Sequence, residues 1–392
     1  MMDDRKLLEG SSELLFGPWY RRSPYFGATQ RAGCKAYDVY NHTLLPGYYD
    51  DPNVEYDALL NDVVVWDVGA EWTIEVSGPD ADRLIDMLTC RDLTTCAIKQ
   101  GKYMLVTARD GGIVNDPVLL HVAEDRWWMQ LADSDAGLYA LGVSTGLGLD
   151  VEVFHPDVYP MQVQGPKSAK TLENLVGPAI YDIKYYWVEW FEIRGIPVLI
   201  SRTGFTAAPG FEVNCLDFSR GEDLWNAVLE AGEEFGIRVA APSMAKRIEA
   251  GMMNHGSDMT IENNPFEIMG LERLVEEQPQ DYIGKEALER IRAEGVSRKL
   301  VGVELTGSEA LDLDPSDFWP VHHAGREVGK VTDAVWSPRL QKNIGYVWVP
   351  IELSQPGTSL DVESEHGHLV GTTAAIPFID PAKTAPAASL KE

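Results

Sequence analysis

Two carboxylates interrupt stretches that are otherwise apolar. Glu212 lies between Phe211 and Val213 at the start of a predicted strand, so its side chain points opposite to both neighbours. If that face borders a pocket, Glu212 is a partly buried carboxylate in need of donors. A flat heterocycle with an amino group beside a ring N–H would supply two. The local pattern fits a hairpin with a solvated Glu equally simply. Asp116 interrupts the run Ile113-Val114-Asn115-Asp116-Pro117-Val118-Leu119-Leu120, and Pro117 removes a ladder hydrogen bond just after it. Asp116 either caps a bulge or faces a site. Arg247 and Glu249 fall on a predicted helix over 243–253 and read locally as a helix-surface pair.

The elements that must position these groups follow from hydrophobic period. Val198-Leu199-Ile200 reads as a buried strand and Phe211-Glu212-Val213 as its return, with Gly204 and Gly210 in the loop between. Trp72 to Ser77 alternates as a strand, then Gly78-Pro79 opens a helix through Leu84, Ile85 and Leu88. Met161 to Gln164, Gly165-Pro166 and a helix through Leu172 and Leu175 repeat that unit, which suggests two related α/β modules. Tyr37 to His42 and Val63 to Trp66 are further short strands, and Asp133-Ser134-Asp135 reads as an N-cap cluster. Residues 1–30 read as irregular, anchored at Ser23-Pro24-Tyr25-Phe26. Beyond about residue 296 short strands follow one another without helical pattern, as in a small barrel or sandwich. Residues 381–392 read as a loose tail.

Composition excludes several function classes. The chain has 392 residues, 33 of them basic and 61 acidic, for a net charge of −28. Nucleic acid and anionic membrane surfaces need a basic face, so neither is an expected partner. The acid excess is spread along the chain, as on a solvated surface in a salt-rich or an ordinary cytoplasm. The four cysteines, at 34, 90, 96 and 215, lack the spacing of a zinc or redox pair and read as reduced thiols of a cytoplasmic protein. No histidine pattern indicates a metal, no apolar run reaches membrane-spanning length, and Met1-Met2-Asp3-Asp4 does not open a signal peptide.

Five motifs in order resemble the folate-dependent aminomethyltransferase family, whose best-known member is the glycine cleavage T-protein. Arg202-Thr203-Gly204-Phe205-Thr206 with Gly210-Phe211-Glu212 looks like its pterin-binding stretch, and Gly111-Gly112-Ile113-Val114-Asn115-Asp116 like its Gly-Gly-Ile-x-Asp-Asp segment. Arg247-Ile248-Glu249-Ala250-Gly251, then Gly256-Ser257-Asp258-Met259 with Pro265-Phe266-Glu267, and finally Gly329-Lys330-Val331-Thr332 with Asn343-Ile344-Gly345 match its later segments. The N-terminal half is most similar to the family's dimethylsulfoniopropionate demethylase branch. Tyr40-Asn41-His42, Trp66-Asp67-Val68, Thr89-Cys90-Arg91-Asp92-Leu93 and Asn115-Asp116-Pro117-Val118 carry that likeness. The aromatic segment Lys184 to Phe191 and Phe205, where that branch has Trp, depart from it.

The resemblance implies an α+β, three-domain aminomethyltransferase-type fold: two α/β modules and a C-terminal β-barrel around a central folate channel. Residues 1–60 with 140–240 are expected to form the first module and 61–139 the second. Residues 241–295 would be a helical connection completing the folate region, 296–380 the barrel and 381–392 the tail. Tetrahydrofolate is the implied cofactor. Glu212 would hold the pterin edge by two charge-assisted hydrogen bonds, and Arg247 would meet the anionic tail, with Phe205, Phe211 and Tyr103 as further contacts. Asp116 would sit at the reactive ring nitrogen as the catalytic group. Tyr40, Trp187 and Trp190 would wall a pocket for a small cationic substrate; each also fits plain core packing. The implied activity is methyl transfer from dimethylsulfoniopropionate or a related onium compound to the folate. The alternatives are glycine-cleavage aminomethyl transfer, with a lipoyl carrier protein as partner, and non-catalytic folate binding. The last branch carries a Lys-Gly-Cys-Tyr-x-Gly-Gln-Glu segment that this sequence lacks.

Overall fold

The structure, a computed structural model, describes residues 17–307 and 318–390. Met1-Met2-Asp3-Asp4, the first sixteen residues of the stretch read as irregular and the last two of the tail lie outside it. Among the described residues no helix is long and apolar enough to cross a membrane.

A six-stranded sheet forms one side of the molecule. Its strands run in the order Val188–Ile193, Ile196–Ser201, Gly210–Cys215, Tyr159–Gln164, Val64–Asp67 and Arg238–Val239. Period two divides its residues. Met161, Val163, Phe211 and Val213 face a core shared with the helices Ser168–Val176 and Gly221–Gly232. Gln162, Gln164, Glu212 and Asn214 take the opposite face, and all four are buried. A polar face withdrawn from solvent must find partners within the protein or in a ligand.

The second sheet has five strands, ordered Glu152–Phe154, Thr73–Ser77, Arg126–Gln130, Val118–Ala123 and Gly101–Tyr103. The repeated unit of the sequence appears in both sheets. Thr73–Ser77 leads into helix Ala81–Leu88 as Tyr159–Gln164 leads into Ser168–Val176. At the two turns Gly78 and Gly165 share a left-handed φ, +125° and +119°, which side chains rarely adopt. The sheets join edge to edge: Gly101 N donates to Tyr186 O at 2.6 Å and Val188 N to Lys99 O at 2.9 Å. Across the junction Gln130 Nε2 donates to Asn214 Oδ1 at 2.7 Å.

The chain crosses between the sheets twice, and here the expected boundaries shift. Strand Val64–Asp67, expected in the second module, pairs with Tyr159–Gln164 of the first sheet. Strand Glu152–Phe154, expected in the first, pairs with Thr73–Ser77 of the second. Val64–Asp67 is buried throughout, as a central strand must be, and local period carries no record of which sheet supplies that burial.

Residues 298–374 contain a closed barrel, ordered Arg298–Leu305, Lys342–Pro350, Arg326–Ser337, Trp319–His323, Ser359–Ser364 and Gly367–Ala374. The described part of the tail is not loose. A short helix, Thr384–Ala387, is capped by Asp380, and Leu390 packs on the core of the first sheet. Buried Arg202 donates to Pro386 O at 2.8 Å and Ala388 O at 2.5 Å. A guanidinium taken from water needs such acceptors, and composition alone does not show that the tail supplies them.

Candidate active site

The buried polar face of the six-stranded sheet looks into a cleft of two connected chambers. The inner one, about 90 Å³, is lined by Tyr103, Asp116, Gln130, Tyr186, Gly204 and Glu212, among others. The outer one, about 460 Å³, is lined by Asp38, Trp66, Asp133, Pro242 and Met244, among others. Tyr40, Glu71, Phe205, Asn254 and His255 border both and form their junction. Neither chamber is lined by a Lys or Arg among the described residues.

Glu212 is held on one side only. Its Oε2 accepts from Thr203 Oγ1 at 2.5 Å and from Ser201 Oγ at 3.4 Å. Oε1 has no protein donor among the described residues, and the residue lines the inner chamber. Burial raises its pKa, and the two hydroxyls pull the other way. The loop from Arg202 to Thr206 closes over Gln162 and Gln164. A Cβ on Gly204 would fall 2.6 Å from Gln164 Oε1, so a side chain there would have to displace that amide.

Asp116 lies between strands Ile113–Asn115 and Val118–Ala123, where Pro117 breaks the ladder. Asn115 fixes its approach: Nδ2 donates to Ala132 O at 2.9 Å and Ser134 Oγ at 2.7 Å, and Oδ1 accepts from Ala132 N at 3.1 Å. An aspartate could not make the first two bonds. Asp116 Oδ2 accepts from Tyr103 OH at 2.8 Å, while Oδ1 is shut off from solvent with no partner. Burial pushes the Asp116 pKa up to about 6, against the pull of His255 and the Tyr103 hydroxyl.

Of the expected site residues, the cleft gathers Asp116, Glu212, Tyr103, Phe205 and Tyr40. Four others lie elsewhere. Phe211 is fully buried in the helix-covered core, because adjacent strand residues face opposite ways. Trp190 stacks edge-on against Trp128 at 5.7 Å where the two sheets meet, and Trp187 packs on the first core under Lys184. From that aromatic segment only Tyr186, at φ +61°, reaches the chamber.

Arg247 is the largest correction. It has no exposed side-chain surface, donates to Asp258 Oδ2 at 2.8 Å and Met252 O at 3.0 Å, and pairs with Asp333. The two carboxylates outweigh burial and hold its pKa up. Glu249, on the same helix Met244–Glu249, accepts from Tyr56 OH at 2.6 Å and Ser337 Oγ at 2.5 Å. The two charges therefore dock the barrel strand Arg326–Ser337 onto the helix and are neither a surface pair nor a ligand site. Through Asp258, which also accepts from Asn254 N at 2.8 Å, Arg247 sets the loop that brings His255 to the cleft.

Sequence reasoning missed Glu71, Gln130, Tyr186 and His255. Glu71 sits in the turn between Val64–Asp67 and Thr73–Ser77, where its N–H donates to Val68 O at 2.9 Å. Burial raises its pKa well above the usual range, and Glu212 and Asp116 add to the rise. Gln130 is resolved by its partners. Leu199 O can only accept, so Asn214 donates Nδ2 to it and turns Oδ1 to Gln130, which donates Nε2. Gln130 Oε1 is then left buried and unpartnered. His255 Nε2 meets Ile113 O at 3.1 Å, so Nε2 carries the proton and Nδ1 is unpartnered. Glu71 ends no apolar run, so nothing in its sequence neighbourhood marked it; Gln130 closes the strand Arg126–Gln130 and gave only that weak signal.

Comparison with known proteins is consistent along the chain. The GCVT N-terminal domain matches residues 25–278 and the glycine cleavage T-protein C-terminal barrel domain residues 298–380. The dimethylsulfoniopropionate demethylase of Ruegeria pomeroyi is 35% identical over 348 residues, 88% of this chain and 94% of that one. An aminomethyltransferase of Halalkalibacterium halodurans is 28% identical, covering 91% of this chain and 98% of its own. The crystal structure of aminomethyltransferase T from Bartonella henselae shares the fold, with a TM-score of 0.81 at 20% identity over 92% of this chain and 98% of that one. The chain is an enzyme of the glycine cleavage T-protein family of tetrahydrofolate-dependent methyl and aminomethyl transferases.

Proposed function

We propose that this enzyme moves a methyl group from a small onium donor, dimethylsulfoniopropionate or a close relative, to tetrahydrofolate. The observation that carries this reading is the inner chamber itself: unpaired acceptors, aromatic walls and no Lys or Arg. The acceptors fit the folate as well as the donor. Glu212 Oε1 suits an amino group beside a ring N–H. Bound tetrahydrofolate supplies the nucleophilic nitrogen that receives the methyl. The protein then has little acid–base work, since a sulfonium departs as a neutral thioether and alignment dominates. Asp116, poised at about 6, can take the proton that the acceptor nitrogen gives up. Tyr40 and Phe205 offer faces to the onium centre. With Arg247 committed elsewhere, the cleft offers the anionic folate tail no Lys or Arg among the described residues.

One observation favours a second reading, aminomethyl transfer from a lipoyl carrier protein. That reaction expels a thiolate and needs a proton source, which a carboxyl with a pKa near 6 can be. Single-turnover incubation with tetrahydrofolate and dimethylsulfoniopropionate, read by mass spectrometry of the folate, separates the two. Methyl-folate with equimolar methylthiopropionate is the expected result. Methylene-folate from the aminomethyl-loaded carrier protein, with nothing from onium compounds, would give the second reading instead.

A further inference from the structure

Five acidic side chains, one histidine and no Lys or Arg line the two chambers among the described residues: Asp38, Glu71, Asp116, Asp133 and Glu212, with His255 at the junction. Their roles are not equal. Glu212 and Asp116 face the inner chamber, and Asp133 Oδ1 already accepts from Asn41 N at 2.8 Å. Glu71 stands at the junction with Tyr40 and Phe205, two aromatic rings and a carboxylate around one position. Such a set recognises a cation, through the ring quadrupoles and the counter-charge together, and the bound cation in turn favours the ionised form of the carboxyl.

The remaining polar atoms point the same way. Buried Gln130 Oε1 and Asp116 Oδ1 are unpartnered acceptors, and His255 Nδ1 is a third while its ring is neutral. Of the cleft-lining side-chain atoms shut off from solvent among the described residues, Trp66 Nε1 is an unpartnered donor, and it belongs to the outer chamber alone.

Resting on the onium reading above, we infer that Glu71 is the counter-charge of the donor, and that the junction favours donors whose onium centre carries no carboxylate nearby. A propionate arm on the sulfonium would place an anion among Glu71, Asp116 and Glu212 with no Lys or Arg to meet it. A neutral arm avoids that repulsion. The reaction is unchanged: the S–CH3 bond breaks with its electron pair left on sulfur, the N–CH3 bond forms, and the nitrogen's proton goes to a base.

The test compares dimethylsulfoniopropionate with its carboxamide as methyl donors to the folate-loaded full chain, in wild type, E71Q and E71D. The carboxamide should have the higher kcat/KM in wild type by about ten-fold or more. E71Q should raise the carboxamide KM about ten-fold or more and narrow the gap between the donors, with folate affinity unchanged, and E71D should recover part of the loss. A zwitterion that reacts as well as the carboxamide, or an E71Q that leaves its KM unmoved, overturns the inference. If neither compound gives up a methyl while folate is bound, the onium reading fails. Calorimetric titration of trimethylsulfonium into the folate-loaded chain then decides the role of Glu71. Saturable binding weakened in E71Q upholds it, and no binding or equal binding overturns it.

Discussion

Two clusters of buried charge lie close together in this fold and behave oppositely. Around Arg247, two aspartates, a backbone carbonyl, Asn254 N and Thr332 Oγ1 meet in a network that satisfies both carboxylates. Around Glu71, Asp116 and Glu212, three carboxylates share one chamber with His255 and no Lys or Arg, and acceptor atoms are left over. The first resembled a ligand site in sequence and proved to be a joint between helix and barrel. The second was only partly visible in sequence and lines the cleft that the proposed reaction uses. Buried charge alone marks neither, and unmade bonds do not either, since Arg247 Nε and Glu249 Oε2 also lack partners; what distinguishes the second cluster is that its carboxylates line an open space.

The contrast breaks most sharply at Arg247. Arg247→Met should cost about 3–5 kcal/mol of stability, because two aspartates stay buried without their partner. Urea unfolding measures the loss. Folate affinity of the molecules that remain folded should change far less, and a variant that folds normally but cannot bind folate would return Arg247 to the site.

Glu212→Gln should do the reverse. Removing the charge from a charge-assisted pair is worth about 1.5–3 kcal/mol, or on the order of ten- to a hundred-fold in folate Kd by fluorescence titration. The unfolding midpoint should not fall, since burial already disfavours the charged form. A destabilised Glu212→Gln with unchanged affinity would make Glu212 a structural residue like Glu249.

Asp116→Asn gives the smallest effect and a sign. The folded pKa of about 6 lies above the unfolded value. The native state therefore holds the proton more tightly, and that stabilisation is full below about pH 4 and lost as the pH rises through 6. Asp116→Asn should be more stable than wild type at pH 8, by on the order of 1–2 kcal/mol, with the difference gone by pH 4. Urea midpoints across that range would show it. A difference that grows toward acid would mean that Asp116 is paired in the folded protein.

The strands that carry Glu212 and Asp116 were legible because alternation and the Pro117 break are local signals. Asn115 was legible as a departure from the family motif, though its reason, three hydrogen bonds to Ala132 and Ser134, was not. Glu71 carried no such signal. It sits in a turn whose neighbours come from residues 40, 116 and 212, and a turn acid in sequence looks like any solvated one. Asp133-Ser134-Asp135 shows the same limit. Asp135 does take the N-cap position of helix Ala136–Leu147 but makes no side-chain cap, and Asp133 and Ser134 instead hold Asn41 and Asn115.

By itself the sequence determined the strands and helices, the repeated Gly-Pro unit, the family with its folate chemistry, and the carboxylates at 116 and 212, since each rests on neighbours a few residues away or on ordered motifs. Only the tertiary structure decided which sheet each strand joins, that the tail is held by Arg202, and that Arg247 is spent on Asp258 and Asp333. It alone also brought Glu71 to the junction. The reason is the same in each case. Whether a charged or aromatic side chain is free to meet a ligand depends on partners distant along the chain, and those meet it only when the sheets close.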